Sequence, residues 1–169
     1  MLLKGREKKG VTDCAILLIV TLLLMFPMCN PQIDIYLDDG SQHLMRAYHT
    51  YQSILQKGNS NIISSFANGF GYSWNLFYGP LSTDCIMLMG IIFGNFNLGF
   101  KVVIGMVLWL ASLFMYQFVK EVTENRNTAL LAGIIYSTSP YFLTDIYVRH
   151  AIRRMFCLCF YTNGISRTL

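Results

Sequence analysis

The residues best placed to do chemistry lie in one short stretch, Asp38-Asp39-Gly40-Ser41-Gln42-His43-Leu44-Met45-Arg46. Asp39 offers a carboxylate that can act as a general base or hold a divalent metal. His43 can share either task. Arg46 supplies a two-pronged grip on phosphate. A site that handles a lipid-linked phosphosugar needs all three abilities. A structural reading stands beside this one. Asp39 would be a helix N-cap, Gln42 would complete a capping box, and His43 and Arg46 would be surface groups.

These side chains need an element to hold them. The stretch continues as a predicted helix to about Gln56. Leu44, Tyr48, Tyr51 and Leu55 follow one another at helical spacing and form an apolar stripe. Asp39, His43, Arg46 and Thr50 share a different face. The pattern predicts an amphipathic helix at a membrane surface, its stripe toward lipid or neighbouring spans and its polar trio toward one aqueous pocket. Farther on, Asn68-Gly69-Phe70-Gly71-Tyr72 and Phe77-Tyr78-Gly79-Pro80 predict a tight interfacial loop. Tyr72, Trp74 and Tyr78 also fit an aromatic belt without chemistry. Near the C-terminal end, Asp145 and Arg149 are four apart and can pair on a helix. They fit either a juxtamembrane salt bridge or a binding role.

The rest of the chain explains why lipid is the expected solvent. Of 169 residues, 54% are hydrophobic and 13% are charged. Soluble domains carry roughly 25% charged residues. The net charge of +4 is modest and forms no basic stripe, which argues against nucleic acid as a partner. The five cysteines show neither a disulfide framework nor a zinc pattern. Apolar runs predict spans at about 11–29, 81–100, 102–119 and 128–144, three or four in number because 81–100 is broken by Asn95 and Asn97. Pro140 should mark the end of the last apolar helix. Lys4, Arg6, Lys8 and Lys9 precede the first run, so the N-terminus is expected in the cytoplasm and loop 30–80 outside. The expected fold is all-α and multi-pass in the cell membrane, with membrane lipid as its surroundings.

Taken in order, these blocks resemble a known family. They are Asp39, His43 and Arg46 in Asp-x-x-x-His-Leu-x-Arg, then Asn68-Gly69 with Gly71-Tyr72, then Phe77-Tyr78 with Pro80. Met115-Tyr116 follows at a span end, and then Pro140-Tyr141 with Asp145, Tyr147 and Arg149. Residues 12–152 resemble bacterial multi-pass membrane proteins that carry the name 6-pyruvoyl-tetrahydropterin synthase-related, which in turn look like membrane glycosyltransferases of the GT-C type. The resemblance implies a partial GT-C-like architecture and transfer of sugar from a polyprenyl-phosphate carrier. It implies Asp39 as catalytic acid/base with Asp38 as alternate, and His43 in support. Arg46 and Arg149 would hold phosphate, with Tyr72 and Tyr78 against substrate. A divalent metal is a possible cofactor, with Asp39 as its ligand.

The chain departs from that family after Arg149. Where Ala-x-Gly-Glu and further apolar spans are expected, it reads Ala151-Ile152-Arg153-Arg154-Met155. Read one frame over, the codons from Arg153 on can encode an apolar continuation with Gly-Glu. The expectation is therefore a domain of residues 1–152 followed by an out-of-frame tail, 153–169. Such a fragment should be inactive alone, because a few helices cannot enclose a carrier lipid. The other functional class is a small non-enzymatic membrane protein that acts as a binding or assembly partner. A transporter fragment is a third, although the clean apolar cores carry no charge.

Overall fold

In a computed structural model, the described residues are 2–30, 38–56 and 69–166, with side-chain surroundings for 10–30, 38–56 and 69–161. Every regular element among them is helical. The elements are α1 (Leu2–Met25) with a 3-10 turn at Phe26–Cys29, α2 (Asp39–Leu55), α3 (Trp74–Phe77), α4 (Leu81–Phe93), α5 (Phe96–Thr123), α6 (Arg126–Ser137), α7 (Pro140–Tyr147) and α8 (Ile152–Ser166). Two stretches, Gly10–Cys29 and Phe96–Thr123, are long and apolar enough to cross a membrane. The chain divides into two compact units, Met1–Ile33 with Ile104–Leu169, and Asp34–Val103.

In the first unit, α1 buries Asp13, Leu17 and Thr21, spaced four apart, and exposes Val11, Ile19, Leu22 and Leu23. A helix in water does the reverse. An apolar exterior around a few inward polar groups is what hydrocarbon solvates. Leu17, Tyr116 and Ala129 form the core where α1, α5 and α6 meet. Gly133 permits the approach: a Cβ there would stand 2.8 Å from the Ser112 carbonyl oxygen and 3.2 Å from Leu17. Asp13 bonds Arg126 at the start of α6 and Tyr116 late in α5, while Met25, at the other end of α1, lies against Gly105 early in α5. Thus α1 and α6 run parallel and α5 runs antiparallel to both. The chain leaves this unit at the Met25 end of α1 and re-enters through α5 at that same end.

The expected stretch 128–144 is two helices rather than one. The Asn125 side chain caps α6 by accepting from the N–H groups of Asn127 (3.0 Å) and Thr128 (3.3 Å). The helix stops at Ser137, Ser139 is extended (φ −60°, ψ 144°), and Pro140 begins α7. Proline cannot continue a helix but suits its first turn, and it biases the residue before it toward extended backbone. The Tyr147 hydroxyl donates to the Leu24 carbonyl and ties α7 to α1.

In the second unit, the apolar stretch 81–100 breaks at Gly94, which takes a left-handed φ of +63°, and at Asn95, whose side chain accepts from Leu98 N–H at 3.1 Å. The result is a helical hairpin. A Cβ on Gly99 would stand 2.8 Å from Gly90 Cα, so the two helices touch backbone to backbone. With 13 residues, α4 is shorter than the roughly 20 a crossing needs.

Candidate functional site

The second unit holds most of the residues expected to form a site. Along α2, the buried positions include His43, Leu44, Arg46, Ala47, Thr50 and Ser53, while Met45, Tyr48, Ile54 and Leu55 are exposed. The expected orientation is therefore corrected in part. His43, Arg46 and Thr50 share a face as expected, but that face packs inward. Leu44 is buried with it, and Tyr48 and Leu55 of the apolar stripe point out. The cause is the contact α2 makes with α4 and with the loop before it, which bring aromatic rings and amides to the polar face.

Arg46, 9% exposed, stacks its guanidinium 3.6 Å from the Trp74 ring centroid and 4.7 Å from that of Tyr78. Trp74 meets Tyr72 edge-on at 5.0 Å and Tyr78 tilted at 6.1 Å. Four residues later on α2, Thr50 Oγ1 accepts from Asn75 Nδ2 at 3.1 Å. His43 stacks on Phe100 at 6.4 Å. A guanidinium stacked by its faces keeps its donors in the plane, where they suit a carboxylate or phosphate edge. The structure thus brings Arg46, Tyr72 and Tyr78 together and adds Trp74, Thr50 and Asn75. Thr50 was already expected on the Arg46 face and Trp74 beside the two tyrosines; Asn75 was not, and its signal was its place next to Trp74 between those tyrosines.

Asp39 and Asp38 lie at the start of α2 and are exposed. Asp38, not Asp39, is the cap residue, and its side chain makes no capping bond, so the capping box with Gln42 does not form. Its backbone is held at φ +47°, a region that costs a non-glycine residue roughly 1–3 kcal/mol and that gathers at functional sites. Among the described residues no group of three or more His, Cys, Asp or Glu side chains comes together. Among those residues Asp39 has no companions to form a ligand set for a divalent ion. Asn68, expected to pair with Gly69, lies outside the described residues. A separate shallow cavity of about 270 Å3 in this unit is lined by Leu44, Tyr48, His49, Asn95, Phe96 and Asn97.

Arg149 and Asp145 belong to the first unit. The expected i, i+4 pair does not form, because α7 ends at Tyr147 and Arg149 lies beyond it, its N–H bonded to the Thr144 carbonyl at 2.9 Å. Asp145 is buried within α7.

That unit contains a polar network that the sequence reading missed. Asp13, 1% exposed, takes a bidentate grip from Arg126 (Nε at 3.0 and 2.9 Å, NH2 at 2.6 Å). Tyr116 OH donates to the same carboxylate at 2.7 Å, and Lys120 Nζ donates to Tyr116 at 2.9 Å. The Asp13 carboxylate holds the Arg126 guanidinium above its ordinary pKa. The available signal was an acid directly before the charge-free run from Cys14.

Comparison with known proteins adds one relative. An uncharacterized protein of Lactococcus lactis subsp. cremoris (strain MG1363) is 26% identical over 153 residues, covering 86% of this chain. The chain spans 24% of that relative's length. No protein-family profile matches the chain, and no solved structure does.

Proposed function

We propose that this chain is one segment of a membrane-embedded, GT-C-like transferase that takes sugar from a polyprenyl-phosphate carrier. In this reading the N-terminus is cytoplasmic, and α1 and α5 cross in opposite directions. Residues 30–95 then lie outside, with α4 as a non-crossing element. The basic residues Lys120 and Arg126 fall at the same end of the first unit as the N-terminal half of α1, which agrees with a positive inner side. One further crossing, by α6 with α7 together, would bring the total to three. Arg46 takes the role of phosphate contact, Asp39 that of acid or base with Asp38 as alternate, and Tyr72 and Tyr78 frame the donor. His43 supports Asp39 from one turn along the helix.

The observation that carries this reading is the inward polar face of α2, with a stacked arginine among aromatic rings, in a chain whose α1 turns Val11, Ile19, Leu22 and Leu23 outward. Burying a guanidinium is costly unless its charge is partnered, and ring faces alone leave its in-plane donors for a ligand. Since the relative is about four times longer, the 169-residue chain should give no sugar transfer by itself. In a longer protein containing it, Asp39→Asn should abolish transfer from a polyprenyl-phosphate sugar while insertion is unchanged. Transfer by the purified short chain, or retention of activity in the Asn variant, contradicts the proposal.

A second reading is favoured by the same stack. Arg46 packed between rings also serves as a pin that fixes the loop at 69–80 to α2, as in a non-enzymatic binding or assembly subunit. Asp39→Asn would then have no effect on any function of the longer protein.

A further inference from the structure

We infer that the N-terminal turn of α4 is a phosphate-binding site, built from Ser82, Thr83 and the backbone N–H groups of residues 81–83. The inference rests on the proposed reading only for the identity of the phosphate's carrier.

The cap residue of α4 is Pro80, which has no N–H and offers no side-chain bond. The first backbone bond of the helix runs from Asp84 N–H to the Pro80 carbonyl at 2.9 Å. The N–H groups of Leu81, Ser82 and Thr83 therefore precede the helical ladder, and no bond from them to a described residue is found. The hydroxyls add an independent observation. Ser82 is 4% exposed and Thr83 1%, and neither Ser82 Oγ nor Thr83 Oγ1 has a hydrogen-bond partner. Buried hydroxyls in folded proteins are nearly always bonded. On a helix, side chains tilt toward the N-terminus, so both hydroxyls lean toward the unsatisfied N–H groups. Up to five donors thus gather at the positive end of a 13-residue helix dipole.

The surroundings favour an anion as well. Tyr78, two residues before the cap, lies on the Arg46 guanidinium, and α2 packs against α4. A fixed cation is thereby tied to this end of α4 through a three-residue link. Asp84, the opposing charge, sits on the exposed side of the same turn. A phosphate monoester or diester matches this set: several acceptor oxygens, negative charge and a compact shape.

The test uses the full chain in amphipol, free of phospholipid, with phosphorus NMR titrations of inorganic phosphate and citronellyl phosphate, and citronellol as the uncharged control. The double variant Ser82→Ala/Thr83→Val should weaken phosphate binding at least tenfold. Its thermal midpoint in phosphate-free buffer should stay level or rise, because unbonded hydroxyls have been removed. Thr83→Ser should keep binding, and Asp84→Asn should strengthen it. Stronger binding of citronellyl phosphate than of inorganic phosphate assigns the site to a lipid carrier; equal binding assigns it to a soluble phosphate. No binding of either phosphate, or equal binding by the double variant, overturns the inference. So does a lowered midpoint in phosphate-free buffer, which would make the hydroxyls packing groups. A longer protein containing this chain that transfers no sugar from a polyprenyl-phosphate donor would defeat the transferase reading and leave these titrations unchanged.

Discussion

The stack of Arg46 on Trp74 and Tyr78 depends on a planar cation, and lysine does not reproduce it. Arg46→Lys should cost about 1–2 kcal/mol, a desolvated cation–π contact. It should also shift the emission of Trp74, read in a Trp109→Phe background. An unshifted spectrum would mean the ring does not depend on the guanidinium. At Asp38, glycine removes the penalty of a left-handed φ. Asp38→Gly should therefore stabilise the chain by about 1 kcal/mol in detergent unfolding, and a loss would show that the carboxylate holds the turn. Cys159 is buried in α8, and burial pushes its thiol from 9.0 up to about 11. The folded state then keeps its proton where the unfolded chain has lost it. The contribution of this group to stability is complete below pH 9 and disappears as the pH rises toward 11. Iodoacetamide at pH 8 should modify exposed Cys157 and spare Cys159. Equal rates would show that Cys159 is open to solvent. At this scale the sequence pointed well to Arg46, Tyr72 and Tyr78, which the structure gathers, because their spacing brings them to one helix face and one short loop. It said nothing of Ser82 and Thr83, since a small hydroxyl in an apolar run is ordinary until its missing partners are seen.

At the scale of elements, glycine decides how closely α4 and α5 approach. Gly99→Ala would drive a methyl group against the Gly90 backbone, which no rotamer change relieves. The expected loss is about 3 kcal/mol, the upper end of overpacking, measurable as a reduced unfolding midpoint; a neutral alanine would show that the hairpin is looser than described. Element boundaries were only partly legible. Asn95 announced the break in 81–100, although Asn97, expected to share it, lies inside α5 and Gly94 makes the turn, and Pro140 announced the end of the last apolar helix. The long α5 was underread as 102–119, because polar Asn97 and Lys101 lie inside it. The direction in which α2 faces was also misjudged. Hydrophobic periodicity identifies the two faces of a helix, but which one turns inward depends on the solvent and on the neighbours, and here the neighbours are Trp74, Asn75 and Tyr78.

For the molecule as a whole, the antiparallel pairing of α1 with α5 has a definite topological consequence under the proposed reading. Cys29, exposed at the far end of α1, should react with a membrane-impermeant maleimide on intact cells. A cysteine introduced as Glu124→Cys, between α5 and α6, should react only after permeabilisation. The same pattern at both positions would refute this topology. The composition made the apolar character of the molecule plain, and two long apolar helices agree with it. The number of crossings was not legible, because it depends on which helices pair side by side rather than on how apolar each run is.

The Asp13–Arg126 pair also bears on biogenesis. The two residues are 113 apart in the chain. At roughly 5–20 residues per second of synthesis, the acid of the first helix is made roughly 6–23 s before its arginine exists. Through the later part of that interval the nascent helix presents an acid without its partner to the insertion machinery, and the ion pair forms only when α6 arrives. A ribosome stalled before Arg126 should therefore leave α1 more readily extracted from the membrane than one released after it.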